Sequence, residues 1–155
     1  MGQNSVRIFR VFMEISKAIK AATPKTNKPV SHGVGRRKSS VARVWLKRGT
    51  GKMVVNDKDY ATYFDTEWSR LDASITARVC PAFANYDAVA NIEGGGINAQ
   101  ADALALAIAR ALVSIDENLR ILLRKHNLLT VDSRLKERKK YGQKAARRKF
   151  QFVKR

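Results

Sequence analysis

The residues of this chain that could do chemistry begin with a glycine loop. Gly94-x-Gly96-x-x-Ala99 lies between a strand-like and a helix-like segment, the setting in which glycines let a pyrophosphate approach a helix N-terminus. That motif, however, opens a βαβ unit whose second strand ends in an acid, whereas Asp116 here falls between two helical segments. The loop therefore reads first as a tight crossing from strand to helix. Contact with an RNA backbone is a second reading, and a nucleotide-binding enzyme using Gly94 and Gly96 is the alternative function. The remaining inventory is thin. His32 and His126 are the only histidines and Cys80 the only cysteine, which leaves no zinc set at usable spacing. A Cys80 nucleophile served by His126 has no local signature, and a buried structural cysteine is the commoner case. Asp57, Asp59, Asp65 and Glu67 stand in turn-prone sequence around Lys58, where acids of turns and helix starts are expected rather than a metal site. The expectation is a protein with no catalytic residue, no metal and no cofactor.

Cations are far better supplied. Lys and Arg number 31 against 13 Asp and Glu, a net charge of +18 and a pI near 10.6, which implies a polyanionic partner, with nucleic acid first. The charge is unevenly spread. Residues 1–30 carry six basic residues and one acid, residues 31–131 fourteen and ten, and residues 132–155 eleven and two. A nearly balanced domain thus stands between two basic arms. Gly35-Arg36-Arg37-Lys38-Ser39-Ser40 offers guanidinium forks, an ammonium and two hydroxyls to phosphate oxygens, and a solvated basic loop is its plainer reading. From Arg134 to Arg155 the chain has a single acid, Glu137, while Tyr141, Phe150 and Phe152 interleave with the cations. Such a tail, lacking a sustained apolar face, should not fold alone. Its aromatics suit base stacking or anchoring in crevices of folded RNA. Extended, the stretch from Tyr141 would span roughly 50 Å.

The elements that must carry these groups follow from periodicity. Phe9, Phe12, Met13, Ser16 and Ile19 predict an amphipathic helix over roughly residues 5–20; a retained extension packing on a partner is the preferred reading, and a targeting segment or disorder the alternatives. Thr23–Pro29 reads as a linker. Ser40–Arg48, Gly49-Thr50-Gly51 and Lys52–Asn56 read as a β-hairpin. Residues 57–64 read as a turn and short helix, and residues 66–79 as a longer helix ending before Pro81. Residues 86–93 alternate as a strand. Asn98 is positioned to cap a helix whose apolar face is Ala101, Leu104, Ala105, Ile108, Ala109 and Leu112, and a second helix spans about Glu117–Lys125. The expected fold class is α+β, a small β-sheet covered by helices, in a soluble protein: no apolar run approaches the roughly 18 residues that a membrane span needs. The boundaries are 1–30 for the N-terminal extension, 31–131 for the globular domain and 132–155 for the tail.

Read in order, GRRKSSVARVWLKRGTGKMVVNDKDYATYF, the triple-glycine loop with AQADALALAIARAL, and LLTVDSRLKERKKYGQKAARRKFQFVKR resemble the family of the ninth protein of the small ribosomal subunit, in its bacterial and organellar form. The likeness runs from about Gly35 to Arg155. It implies a domain resembling the second domain of ribosomal protein five, seated in the head of the small subunit among neighbouring ribosomal proteins and bound to ribosomal RNA. It also implies an extended C-terminal tail whose last residues meet the anticodon stem-loop of the peptidyl-site tRNA. On that resemblance Lys154 and Arg155 would contact the tRNA. Arg134, Arg138, Lys139, Lys140, Lys144, Arg147, Arg148 and Lys149 would bind rRNA, as would Arg36, Arg37 and Lys38 of the basic N-terminal motif. The working place would be a ribosome of the bacterial cytoplasm or of an organelle such as the mitochondrion. The chain departs from the family pattern at Ala99, usually Gly, at Val131, usually Arg, and at Val153, usually Ser. Residues 1–30 have no counterpart.

Overall fold

The computed structural model describes residues 28–151 and residue 153. The helix expected over residues 5–20 lies outside them. The described chain is α+β: a five-stranded sheet packed against helices. Strands β1 (Ser31–Arg37), β2 (Ser40–Arg48), β3 (Met53–Val55), β4 (Lys58–Asp59) and β5 (Tyr86–Glu93) stand in the order β1-β2-β5-β3-β4. All neighbours pair antiparallel except β3 and β5, which are parallel. Helices α1 (Tyr60–Tyr63) and α2 (Glu67–Val79), followed by a 3-10 turn (Pro81–Asn85), connect β4 to β5; α3 (Ile97–Ile115) and α4 (Leu119–Lys125) follow β5. Among the described residues no helix is long and apolar enough to cross a membrane.

The inward rows of the central strands are apolar and alternate. Ala42, Val44 and Leu46 of β2, Ala88, Ala90 and Ile92 of β5, and Met53 and Val55 of β3 are all buried, as the two-residue period of a half-covered strand requires. Helix α3 covers this face and is itself covered by α2, where the Thr76 hydroxyl donates to the Ala105 carbonyl at 2.8 Å. The face expected on α3 is buried in full, and Ala103, Ala107 and Ala111 are buried as well. The helix is thus enclosed around most of its circumference, which only small side chains permit at this spacing.

Three expectations are corrected. The residues up to Arg37, read as a basic loop, form β1. Its inward row is Ser31, Gly33 and Gly35, too small to register as an apolar period. A Cβ on Gly33 would strike the Ala107 carbonyl and one on Gly35 the Ala103 carbonyl, so the row is small because α3 lies directly on it. Second, β2 and β3 are not a hairpin, because β5 inserts between them. The Gly49-Thr50-Gly51 segment instead arches around Asp87 of β5, whose carboxylate accepts from the amides of Thr50 at 2.8 Å and Lys52 at 3.0 Å. Burial would push that carboxyl up, but the amides of Lys52, Thr50 and Gly51 outweigh it and hold Asp87 below its ordinary value. Third, α3 is capped by Gly96, not Asn98, and no side chain caps it.

Three of the four acids flagged in the sequence find local uses. Asn56 and Asp57, both with positive φ, form the two-residue turn between β3 and β4. Asp59 accepts from the Ala61 amide at the start of α1, and Glu67 lies in the first turn of α2. Among the described residues no group of His, Cys, Asp and Glu could hold a metal ion.

Candidate nucleic-acid interface

β1 and β2 are joined through Lys38 and Ser39, with Lys38 in the left-handed region at φ 53°. The tight reversal makes Arg36, Arg37 and Lys38 diverge rather than act as one cluster. Arg36 and Lys38 are exposed, while Arg37 turns inward with only 16% of its side chain exposed. Its Nε donates to Asp102 of α3 at 3.3 Å, one terminal nitrogen lies 3.0 Å from the Asp132 carboxylate, and the other donates to the carbonyls of Asp132 and Arg134 at 3.2 and 3.1 Å. One guanidinium therefore joins the end of β1, the second turn of α3 and the first residues of the tail. A planar fork with five donors can do this and an ammonium cannot.

Asp132 is held from both sides. Arg134 meets its carboxylate through Nε and a terminal nitrogen at 2.6–3.0 Å, and the Arg134 amide donates to it at 3.0 Å. The Arg134 side chain first, then its amide, with the Arg37 charge adding to them, hold Asp132 well below the usual carboxylate range. Asp132, Asp102 and Asp72 line, with Arg36 and Arg37, a cleft of about 230 Å³ between α2, α3 and the segment after α4. Burial pushes Asp72 up, and the Asp102 carboxylate adds to it.

Beyond Lys125 the described chain has no further helix or strand. It is not extended throughout. Gly142, with φ 64°, opens a bend closed by the Lys144 amide donating to the Arg148 carbonyl at 2.8 Å. Glu137, the tail's one acid after Asp132, gathers Lys140 at 3.2 Å and Arg147 at 2.8 Å across this bend. Such exposed pairs contribute little to stability and leave the cations available to a stronger anion. Arg138, Lys139, Lys144, Arg148 and Lys149 are exposed. So are Tyr141, at 98%, and Phe150, at 63%. Phe152, Lys154 and Arg155 lie outside the described residues.

The glycine loop has a packing explanation. Gly94 and Gly95 have φ of 71° and 69°, and a Cβ on either would press on Ser39 or Ser40 at the start of β2. Its strand, β5, lies between an antiparallel and a parallel neighbour, and α3 leads to α4 and not to a further strand. This is a strand-to-helix crossing in cramped space, not the first turn of a βαβ unit.

Sequence reading missed two groups. Asp102 and Asp132 were passed over because single acids in helical and basic stretches carry no motif. Arg110 of α3 and Arg120 and Arg124 of α4 were passed over because Arg110 is a lone arginine on a largely apolar helix and the i, i+4 pair on α4 reads as an ordinary solvated face; the three converge only in the folded chain. Of the departures from the family pattern, Ala99 is buried in the first turn of α3, and Val131 and Val153 are exposed.

Comparison with known proteins adds an independent line. The family described as Ribosomal protein S9/S16 matches residues 35–155. The small ribosomal subunit protein uS9 of Cytophaga hutchinsonii is 47% identical over 126 residues, covering 81% of this chain and 98% of that protein. The protein of the same name from Chlorobaculum tepidum is 49% identical over 128 residues, covering 83% and 99%. That from Borreliella burgdorferi is 45% identical over 130 residues, covering 84% and 96%.

Proposed function

The chain belongs to the ribosomal protein S9/S16 family, and from that premise we propose that it is a non-enzymatic structural constituent of a small ribosomal subunit of bacterial type. It binds rRNA and neighbouring proteins of the subunit head through the domain, and its tail runs through RNA to the peptidyl-site tRNA. The observation that carries this reading is the division of charge. A folded domain with nearly balanced charge bears a tail of eleven basic residues and two acids, irregular and for the most part exposed where it is described. Such a segment can enter a folded polyanion where a globular domain cannot, and it would order on binding.

The residues take different parts. Arg36, Lys38, Arg138, Lys139, Lys144, Arg148 and Lys149 are free to meet phosphates directly. Lys140 and Arg147 would exchange Glu137 for phosphate. Arg37 acts at one remove: it holds the base of the tail on the domain through Asp102, Asp132 and the Arg134 carbonyl, so that its path starts from a fixed point. Arg134, paired with Asp132 of the tail itself and largely exposed, would exchange that carboxylate for phosphate. Lys154 and Arg155, at the far end, would reach the tRNA.

Sedimentation of a native lysate in high magnesium and moderate salt tests the proposal, with mass spectrometry following this chain. Co-migration with the small subunit, abolished by ribonuclease, is expected. Migration as a free protein near its own 17.4 kDa would overturn it.

A further inference from the structure

The segment that leads from α4 into the tail separates two clefts of different character. One, already described, combines three carboxylates with Arg36 and Arg37. The other, of about 310 Å³, is lined by Arg110, Val113, Arg120, Arg124, Leu129 and Thr130, three arginines with no acid among the lining residues. Thr130 belongs to both. The arginine cleft therefore lies directly beneath the point where the tail leaves the domain.

Its arginines are differently committed. Arg110 is fixed in place, donating from one terminal nitrogen to the Val34 carbonyl of β1 at 2.7 Å, which leaves the rest of its five donors free. Arg120 pairs with Glu117 at 3.1 Å, but both side chains are more than half exposed, 56% and 79%, and a pair of that kind contributes little. Arg124 makes no ion pair among the described residues. Half-buried Val113 and Leu129 form an apolar floor. Guanidinium forks around an apolar floor suit an anion with several oxygens, because each fork can bond two of them and the floor limits competition from water.

We propose that Arg110, Arg120 and Arg124 form a phosphate-binding site of the folded domain, which takes a phosphodiester of structured RNA beside the exit of the tail. This rests on the ribosomal reading above. The site would give the domain a rigid backbone contact, whereas the tail's contacts form only as it orders. Phosphate contacts of this type fix register without reading sequence. Two anchors, one on the domain at Arg124 and one along the tail, would set the direction in which the tail departs.

The test uses the full chain and transcribed small-subunit rRNA. Wild type, Arg120→Gln/Arg124→Gln and a tail control, Arg138→Gln/Lys139→Gln, are compared by affinity against salt and by hydroxyl-radical footprint; the two variants each remove two positive charges. If the cleft binds phosphate, Arg120→Gln/Arg124→Gln weakens binding by about tenfold or more and lowers the log–log salt slope by about 1 to 2. It also exposes a backbone segment different from the one the tail control exposes. Because the side chains are exposed, thermal unfolding should be unchanged; Arg124→Lys, which keeps the charge but not the fork, should fall between wild type and the double variant. An affinity, slope and footprint equal to wild type for the double variant would overturn the cleft alone. Failure of wild type to bind the rRNA would overturn both this proposal and the ribosomal reading.

Discussion

Gly35 of β1 lies so close to the carbonyl of Ala103 on α3 that a Cβ on it would overlap the oxygen. Gly33 stands in the same relation to Ala107, and Ser31, next in the row, donates to the Ala111 carbonyl at 2.8 Å. Glycines two apart on the strand thus face alanines four apart on the helix. The obstacle is backbone, which cannot rotate aside, so Gly35→Ala should cost at least about 1–3 kcal/mol and lower the melting temperature by roughly 2 °C or more. Thermal unfolding followed by circular dichroism checks this.

Gly96 is a glycine of the other kind. A Cβ there meets open space, φ is −99°, and the N-terminus of α3 lacks a side-chain cap. Gly96→Ser should therefore stabilise the isolated protein slightly, by a few tenths of a kcal/mol, measured by the same unfolding experiment. A loss of stability would show that packing, not backbone geometry alone, requires glycine at Gly96.

These positions also mark where the sequence was legible. β2, β5 and α3 could be read because their inward residues are large enough to carry a period: Val44, Leu46 and Ile92 on the strands, Leu104, Ile108 and Leu112 on the helix. β1 could not, since its inward row was reduced to serine and glycine by the closeness of α3. The pairing of β5 between β2 and β3 was hidden for another reason. A glycine turn between two Val-rich runs is a local hairpin signal, and only the distant Asp87, seated on the amides of Thr50 and Lys52, reveals the insertion. At the candidate interface, contiguous cations were visible as charge, but Arg37 differs from Arg36 through the alternation of β1, which turns it inward toward Asp102, and from Lys38 through the turn that follows the strand.

Arg37→Lys keeps the charge and loses the fork that bridges Asp102, Asp132 and the Arg134 carbonyl. The base of the tail should then open more often while the domain stays folded. Hydrogen exchange at the Arg134 amide, which donates to Asp132, should accelerate by about tenfold, the equivalent of one charge-assisted hydrogen bond. Amides of β5 should be unaffected.

Two carboxylates respond to pH in opposite senses. Asp132 is lowered in the fold, so what its charge contributes is complete above the ordinary carboxylate pKa near 3.9 and is lost as pH falls through the folded value. The tail base should remain docked from neutral pH to about pH 4 and loosen only in stronger acid. Asp72 is raised, so its contribution is complete below about pH 3.9 and is lost as pH rises through its folded value. Asp72→Asn should accordingly raise the melting temperature at pH 7, with the difference from wild type disappearing below about pH 4. Parallel melting curves at the two pH values decide it.

Deletion of Lys154 and Arg155 separates assembly from the tail's proposed task. The domain and the nine other basic residues of the tail remain, so incorporation into the small subunit should be unchanged by sedimentation. The two removed cations can supply one charge-assisted bond each to RNA, roughly 1.5–3 kcal/mol apiece before the cost of ordering the terminus. Retention of tRNA in the peptidyl site of purified subunits should therefore weaken by about ten- to hundredfold, and more steeply at low salt than at high, because screening already weakens the lost contacts at high salt. A subunit lacking the protein after this deletion would mean that the terminus, not the domain, carries assembly. An unchanged tRNA affinity would place the end of the tail elsewhere.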